Sequence, residues 1–131
     1  MYDFYNYLAL IKPDSLASLE LLKEKLNKTY QDEKRTVSIT RINEAININI
    51  DGYNFLISFQ EGATVLEESI EMADRHTIDH EERTVDRNEV ASCTRRFEIA
   101  GEDDYDMDYF NDSLYIVECI ESIGDVIIIS Q

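Results

Sequence analysis

Alternation of apolar and polar residues is the strongest pattern in the chain, and it lies in residues 36–60. Isoleucines alternate with asparagines up to Asp51-Gly52, and aromatic and aliphatic residues continue the period of two afterwards. An Asp-Gly pair between alternating runs is typical of a type I′ hairpin turn, since both turn positions require a positive φ. A second tight turn at Asn43-Glu44 puts a third strand on the same face. The pattern predicts a three-stranded β-meander with these cross-strand pairs: Ile50 with Tyr53, Ile48 with Phe55, Ile46 with Ile57, Ile39 with Ile48, and Val37 with Ile50.

Two elements are predicted before the meander. Residues 5–12 form a short apolar run closed by Pro13, which indicates a first strand. Leucines then recur every three or four positions, so an amphipathic helix is expected over residues 15–31, capped by Asp14 or Ser15. The apolar stripe of this helix consists of Leu16, Leu19, Leu22, Leu26 and Tyr30.

The segment after the meander predicts helices separated by charged residues. Thr64 to Glu67 has the spacing of a capping box and predicts a helix, whose apolar stripe is Leu66, Ile70 and Ala73. Residues 75–87 are densely charged, which favours a loop or a frayed helix. Asp86 and Glu89 are spaced to cap another short helix, which would carry Val90, Cys93 and Phe97.

The last helix and strand complete the predicted fold. Asn111 or Asp112 is expected to cap a helix that Gly124 ends, with Tyr115, Ile116, Cys119, Ile120 and Ile123 facing inward. Residues 126–129 are continuously apolar, which favours a strand in the interior of the sheet. We therefore expect an α+β fold: a mixed, mainly antiparallel sheet of about five strands, with three to four helices packed on one face.

Length and composition limit the class of protein. The chain has 131 residues, of which 44 % are hydrophobic, so residues 1–131 are expected to form a single folded domain. Its start lacks the pattern of a secretory signal, and no apolar run approaches 18 residues, which favours a soluble protein with no membrane partner. Cys93 and Cys119 are expected to be buried thiols in a reducing compartment, hence a cytoplasmic location.

Charge is the most uneven property of the sequence. The net charge is −16, but residues 1–60 hold eight acids and seven bases, while residues 61–112 hold seventeen acids and five bases. Residues 98–112 contain seven acids and no Lys or Arg. This balance argues against direct binding of nucleic acid or of an anionic membrane. It favours a basic protein partner, which charge would steer to the acidic half.

The acidic run admits three interpretations. Asp104, Asp106 and Asp108 have the spacing of the first three calcium-loop ligands and Asp112 falls at the ninth position, but Tyr109 and Tyr115 stand where the loop requires Gly and Glu. A solvated loop that caps the next helix is the second interpretation. The third is a protein-binding surface, because large amphipathic side chains alternate with the acids. On the third interpretation the candidate partner-binding residues are Glu102, Asp103, Asp104, Tyr105, Asp106, Met107, Asp108 and Tyr109.

Catalytic chemistry has little support in the sequence. His76 and His80 are four residues apart and could occupy two positions on zinc, but no HExxH pattern supplies the rest of a site. There is no Gly-x-Ser-x-Gly elbow, and isolated glycines cannot form a phosphate-binding loop. We expect a protein that is not an enzyme and needs neither a metal nor a cofactor.

Residues 92–124 (SCTRRFEIAGEDDYDMDYFNDSLYIVECIESIG) resemble segments of small, uncharacterised bacterial proteins of toxin–immunity and contact-dependent competition loci. The resemblance rests on the D-x-D-x-D-x-x-N-D pattern and implies an acidic immunity protein that neutralises a cytoplasmic toxin, such as a nuclease, by covering its basic cleft. The alternatives are a structural or interaction protein with no catalytic role, and an inhibitor that mimics nucleic acid. A free sheet edge could also pair in a homodimer, because Asn and Ser beside Ile do not block an edge.

Overall fold

The computed structural model of the chain describes residues 2–76 and 87–130, apart from the side chains of Arg75 and His76. The described residues form six strands and four helices, so the predicted α+β fold is confirmed, with one strand more than expected. In chain order the elements are β1 (Phe4–Ile11), α1 (Leu19–Thr29), β2 (Val37–Ile42), β3 (Ala45–Ile50), β4 (Tyr53–Glu61), α2 (Ala63–His76), α3 (Arg87–Ala91), β5 (Arg95–Gly101), α4 (Phe110–Ser122) and β6 (Val126–Ser130).

All six strands form one sheet in the order β2-β3-β4-β5-β1-β6, and every neighbouring pair is antiparallel rather than mixed. The predicted meander is confirmed at every pair, including Ile48 with Phe55 and Ile39 with Ile48. The turn at Asp51-Gly52 adopts the expected conformation, since both residues have positive φ, whereas in the tight turn at Asn43-Glu44 only Asn43 does. Local turn chemistry and alternation therefore determine half of the sheet.

The central strand β5 lies where the sequence favoured helix. A short helix α3 is present and carries Val90, but it ends at Ala91. Phe97 therefore belongs to a strand, which pairs with β4 on one side and β1 on the other. One face of β5 is buried, with Phe97 and Ile99, whereas Glu98 on the other face is exposed. This alternation covers too few residues to outweigh the helical spacing of Val90, Cys93 and Phe97 in the sequence.

The apolar strand β6 lies at the edge of the sheet, beside β1, and not in its interior as predicted. Its side chains are apolar in succession because helices cover both faces of the sheet there. Ile128 packs against the cluster that contains Ala9 and Ile11, whereas Ile127 packs against the cluster that contains Leu8 and Leu10.

The helices occupy both faces of the sheet, which corrects the expectation that they share one. Adjacent residues of a strand point to opposite faces. Helices α1 and α4 contribute Leu22, Leu26, Ile116 and Ile120 to the cluster that includes Ala9 and Ile11. The described part of α2, with α3, contributes Met72, Ala73 and Val90 to the cluster that includes Leu8 and Leu10. Cys93 and Cys119 are buried and free on opposite sides of the sheet, so a disulfide between them is excluded.

The caps of α1 and α2 differ from the predicted ones. Helix α1 begins one turn later than expected, because Ser18 is its N-cap and accepts a hydrogen bond from the amide of Leu21 at 3.2 Å. Leu16 consequently lies outside the helix and is 85 % exposed. Helix α2 begins before the proposed capping box, after Gly62, whose positive φ a side chain would strain.

The inward faces of α2 and α4 also differ from the predicted ones. In α2 the buried apolar residues are Val65, Met72 and Ala73, while Ile70 is exposed. In α4 the N-cap position is Tyr109, so neither Asn111 nor Asp112 caps the helix, and Tyr115 is exposed. Among the described residues, no helix is long and apolar enough to cross a membrane.

Candidate functional site

The acidic loop, residues 102–109, joins the central strand β5 to helix α4. Glu102 extends the pairing between β5 and β4 by one residue. Its amide donates to the carbonyl oxygen of Asn54 at 3.2 Å, and its side-chain Oε1 accepts from the amide of Asn54 at 2.6 Å. Its carbonyl oxygen accepts from the hydroxyl of Tyr53 at 2.6 Å. Glu102 therefore fixes the start of the loop.

Asp104 is buried and organises the middle of the loop. Its Oδ2 accepts from the hydroxyl of Tyr5 at 2.6 Å and from the amide of Tyr109 at 2.8 Å, and its Oδ1 accepts from the amide of Asp108 at 3.1 Å. Burial alone would raise the pKa of this carboxyl, but the hydrogen bonds from Tyr5, Tyr109 and Asp108 lower the pKa below its ordinary value. The carboxylate form of Asp104 therefore holds the loop in its observed conformation.

Acidification is expected to destabilise the protein through Asp104. A carboxyl whose pKa is lower in the folded than in the unfolded state adds stability above the unfolded pKa, about 3.9 for Asp, and this stability is lost as the pH falls through the folded pKa. Urea unfolding at a series of pH values from about 6 downwards measures the effect. We expect Asp104→Asn to lower the free energy of unfolding at pH 6 and to reduce its decrease on acidification.

The matched control for that experiment is Asp106→Asn, because Asp106 is exposed and accepts no hydrogen bond from the described residues. This variant should reproduce the wild-type dependence of unfolding free energy on pH. Equal pH profiles for Asp104→Asn and wild type would contradict the role assigned to the Asp104 carboxylate.

Aromatic packing supports the loop from below. The ring of Tyr109 stacks on that of Tyr53, with centroids 4.1 Å apart and an angle of 9° between the planes. Tyr53 packs in turn against Phe55, whose side chain is fully buried. A Cβ atom at Gly101 would lie 2.5 Å from the hydroxyl of Tyr53, so only glycine allows these rings to pack beneath the loop.

The eight residues proposed from the sequence thus fall into two groups. Glu102, Asp104 and Tyr109 bond or stack with the protein itself and anchor the loop. The other five present their side chains to solvent: Asp103, Tyr105, Asp106, Met107 and Asp108. No Lys or Arg of the described chain forms an ion pair with the three aspartates of this second group. Within the described residues, their negative charge is therefore not compensated by an ion pair.

Exposed apolar side chains lie among these free carboxylates. Tyr105 is 82 % exposed and Met107 56 % exposed. Phe110 and Leu114, one turn apart on α4, are exposed as well. The edge of the Phe4 ring meets the Tyr105 ring with centroids 5.1 Å apart, which links the patch to the start of β1. We name as the acidic patch the side chains of Asp103, Tyr105, Asp106, Met107, Asp108, Phe110 and Leu114.

Two apolar residues of this region, Leu114 and Phe4, were not anticipated from the sequence, whereas Phe110 lies within the acidic run 98–112 that the sequence proposed as a protein-binding surface. Leu114 follows Phe110 at a helical spacing of four, so a helix that begins at Phe110 could have indicated it. Phe4 carries no such signal, because it reaches Tyr105 only through the pairing of β1 with β5.

Backbone strain marks the same region. Among the described residues, four other than glycine have positive φ, and Asn43 and Asp51 occupy hairpin turns that require it. The other two are Tyr5, with φ of 55°, and Met107, with φ of 57°. Large side chains adopt this conformation rarely and at a cost, and such residues cluster at functional sites. Tyr5 holds the loop through Asp104, and Met107 lies in the patch itself.

Asp112 belongs to a separate network that ties α4 to the segment between α1 and β2. Both of its oxygens accept from the guanidinium of Arg35 at 2.8 Å, and Oδ1 also accepts from the hydroxyl of Tyr30 at 2.8 Å. Glu33 binds the same guanidinium at 3.0 Å, and this hydrogen bond lowers the pKa of Glu33 to about 2. Burial is the larger cause that raises the pKa of Tyr30 well above its ordinary value, and the hydrogen bond to the Asp112 carboxylate is the second.

These contacts leave the calcium-loop interpretation without two of its four carboxylates. Asp104 is engaged by Tyr5 and by two amides, and Asp112 by Arg35 and Tyr30. Within residues 2–76 and 87–130, apart from the undescribed side chains, no group of three or more His, Cys, Asp or Glu residues is arranged to hold a metal ion. His80 and Asp86 lie outside the described residues, as does the side chain of His76.

The two cysteines are held as buried thiols. The Sγ atom of Cys93 donates to the carbonyl oxygen of Glu89 at 3.2 Å, and burial raises the pKa of this thiol to about 11. Cys119 lies 3.2 Å from the hydroxyl of Thr29, and burial raises its pKa too. Reactive cysteines have a lowered pKa, so neither residue has the environment of a nucleophile.

Comparisons of the chain with protein-family models, with curated proteins and with solved structures found no match. The acidic patch is therefore interpreted from its own geometry and charge.

Proposed function

We propose that this chain is an immunity-type inhibitor that binds a basic protein partner, such as a nuclease toxin of the bacterial cytoplasm, through the acidic patch. The observation that carries the proposal is the coincidence of three uncompensated carboxylates with exposed aromatic and apolar side chains on an anchored loop. Interfaces combine large apolar anchors with a polar surround in this way.

The two kinds of side chain in the patch perform different steps of binding. Asp103, Asp106 and Asp108 attract a basic surface from a distance and raise the association rate, an effect that salt screens. Tyr105 and Met107 bury apolar area once the partner is docked, which slows dissociation. Because Asp104 and Tyr109 hold the loop in place before binding, little conformational entropy is lost on docking.

Inhibition would follow from occupancy alone. A nuclease cleft is basic because it binds a phosphate backbone, so a carboxylate surface is complementary to it. No residue of this chain has to take part in chemistry. The partner would lose activity because its substrate is excluded, and activity would return when salt releases the inhibitor.

The experiment that tests the proposal compares two triple variants with the wild type as immobilised bait. The first removes the exposed charges of the patch, by Asp103→Asn, Asp106→Asn and Asp108→Asn. The second removes three exposed acids of the first half, by Glu20→Gln, Glu24→Gln and Asp32→Asn, so its net charge is equal. Proteins from a lysate of the source bacterium are captured at about 50 mM and about 500 mM salt and identified by mass spectrometry.

We expect to capture a basic protein that binds the wild type and the second variant at low salt. The same protein should bind the first variant only weakly. With the purified partner, the first variant should associate about tenfold more slowly at low salt, and Tyr105→Ala with Met107→Ala should dissociate at least about tenfold faster. The wild type should also inhibit the partner's nuclease activity at a one-to-one ratio. Equal binding by the two triple variants, or capture without inhibition of any activity, would contradict the proposal.

A further inference from the structure

Strand β6 lies at one edge of the sheet. On its inner side β6 pairs with β1 from Ile11 with Val126 to Tyr7 with Ser130, without any shift in register. No other strand of the described chain pairs with its outer side. An edge of this kind presents a row of unpaired amide and carbonyl groups to which another strand can add.

Strand β6 lacks three of the devices with which proteins protect sheet edges, namely charged residues, proline and a bulge. Its sequence is VIIIS, so it contains no charge and no proline, and its pairing with β1 contains no bulge. The opposite edge, β2, carries Arg41 and exposes Ser38 and Thr40. Charged and polar residues of this kind discourage pairing, whereas a straight apolar edge favours it. The two edges of one sheet therefore differ in their capacity to accept a strand.

We propose that two copies of this chain associate by antiparallel pairing of β6 with β6 across a twofold axis at Ile128. This axis gives the largest overlap of two five-residue strands: Ile128 faces its own copy, Ile127 faces Ile129, and Val126 faces Ser130. Cross-strand pairs of β-branched residues stabilise a sheet. The half-exposed side chains of Val126, Ile127 and Ile128 would lose contact with water.

Charge favours a second copy over the basic partner of the acidic patch as the occupant of this edge. A basic segment would be attracted to carboxylates, and β6 has none between residues 126 and 130. An uncharged strand is complementary to itself, and twofold dimers are the commonest symmetric assemblies. Because the pairing involves β6 and not the acidic patch, it does not depend on the proposed function.

The expected dimer is weak, and its affinity should change with salt in the opposite sense to the affinity for the basic partner. Two five-residue strands bury less area than a standard interface of about 800 Å² per partner, so the dissociation constant is expected near the micromolar range. Each copy carries a net charge of −16, and their mutual repulsion decreases as salt screens it. Dimerisation should therefore strengthen with salt, while capture of a basic partner weakens.

Sedimentation velocity of the wild type tests the association directly. We expect the mean mass to rise from that of the 15.2 kDa monomer towards twice this value as protein concentration increases. Raising the salt concentration from about 50 mM to about 500 mM should lower the dissociation constant at least about threefold. A monomeric mass at every protein and salt concentration would overturn the proposal. The edge of β6 would then be a binding site for a segment of another protein.

A cysteine at the proposed axis tests the register. Directly opposed Cα atoms of antiparallel strands lie about 4.5 to 5.5 Å apart, which a disulfide can span. Ile128→Cys should therefore form a covalent dimer under mild oxidation, detected by non-reducing electrophoresis. The matched controls are Thr40→Cys, on the opposite edge, and the wild type, whose two cysteines are buried; neither should form a covalent dimer. Equal cross-linking of the two variants, or none at residue 128, would overturn the proposed pairing.

Discussion

Replacing Phe97 by Ala is expected to lower the free energy of unfolding by about 3–5 kcal/mol. Phe97 is fully buried on the central strand β5 and packs beside Phe59, with ring centroids 5.9 Å apart. Removal of its ring leaves a cavity that strands β4 and β1, paired on either side, keep from collapsing. Since small domains are stable by about 5–15 kcal/mol, this loss is a large fraction of the total. Urea unfolding followed by circular dichroism measures it.

The matched control is Phe110→Ala, which removes the same side chain from an exposed position. Phe110 is 38 % exposed at the start of α4, so its loss should cost less than about 1 kcal/mol of stability. The same variant should weaken binding of the proposed partner, because Phe110 belongs to the acidic patch. Comparable unfolding free energies for the two variants would contradict the central position of β5.

Replacing Asp112 by Ala is expected to destabilise the protein by about 2–4 kcal/mol. The substitution leaves the guanidinium of Arg35 and the hydroxyl of Tyr30 without the acceptor that both use. Asp112 is 2 % exposed, whereas the Arg35 side chain is 32 % exposed, so water can replace part of the lost interaction. The expected loss is therefore smaller than that for a fully buried ion pair. Urea unfolding at neutral pH measures it.

A double-mutant cycle separates the ion pair from other effects of the substitution. Arg35→Met removes the guanidinium and keeps much of the packing area of its stem. If the two groups act as a pair, the double variant should be more stable than the sum of the single losses predicts. Asp106→Ala, at an exposed position, should change stability by less than about 0.5 kcal/mol. An equally small effect of Asp112→Ala would contradict the network.

The elements that could be predicted from the sequence are those in which local chemistry agrees with the fold. The meander is the clearest example, because Asp51-Gly52 sets the turn and the alternating isoleucines set the register. Helices α1 and α4 follow from their apolar spacing in the same way. Their caps did not follow, since several Ser, Asp and Asn residues near each start could serve as a cap, and the path of the preceding chain selects among them.

Strands β5 and β6 show where local patterns fail. In β5 only Phe97 and Ile99 are apolar at alternate positions, so Phe97 fitted a helical spacing as well as a strand. Cover by helices on both faces makes the edge strand β6 apolar throughout, which is why residues 126–129 were assigned to the interior of the sheet. The covering of both faces is itself a tertiary property, because Leu8 and Ala9 belong to different cores only once α2 and α4 have docked.

The sequence by itself determined the class of fold, the meander and the concentration of negative charge in residues 98–112, because composition, turn residues and short periods are local properties. Only the tertiary structure decided which acids of that run are exposed to solvent and which are hydrogen-bonded within the protein. Asp104 and Asp106 are equivalent in the sequence pattern, but Tyr5 lies 99 residues from Asp104 in the chain and binds its carboxylate. Asp112 is occupied in the same way by Arg35, 77 residues away. Contacts between residues so distant in the chain arise only when the strands and helices pack, and they separate the acids that support the loop from those that remain exposed to solvent.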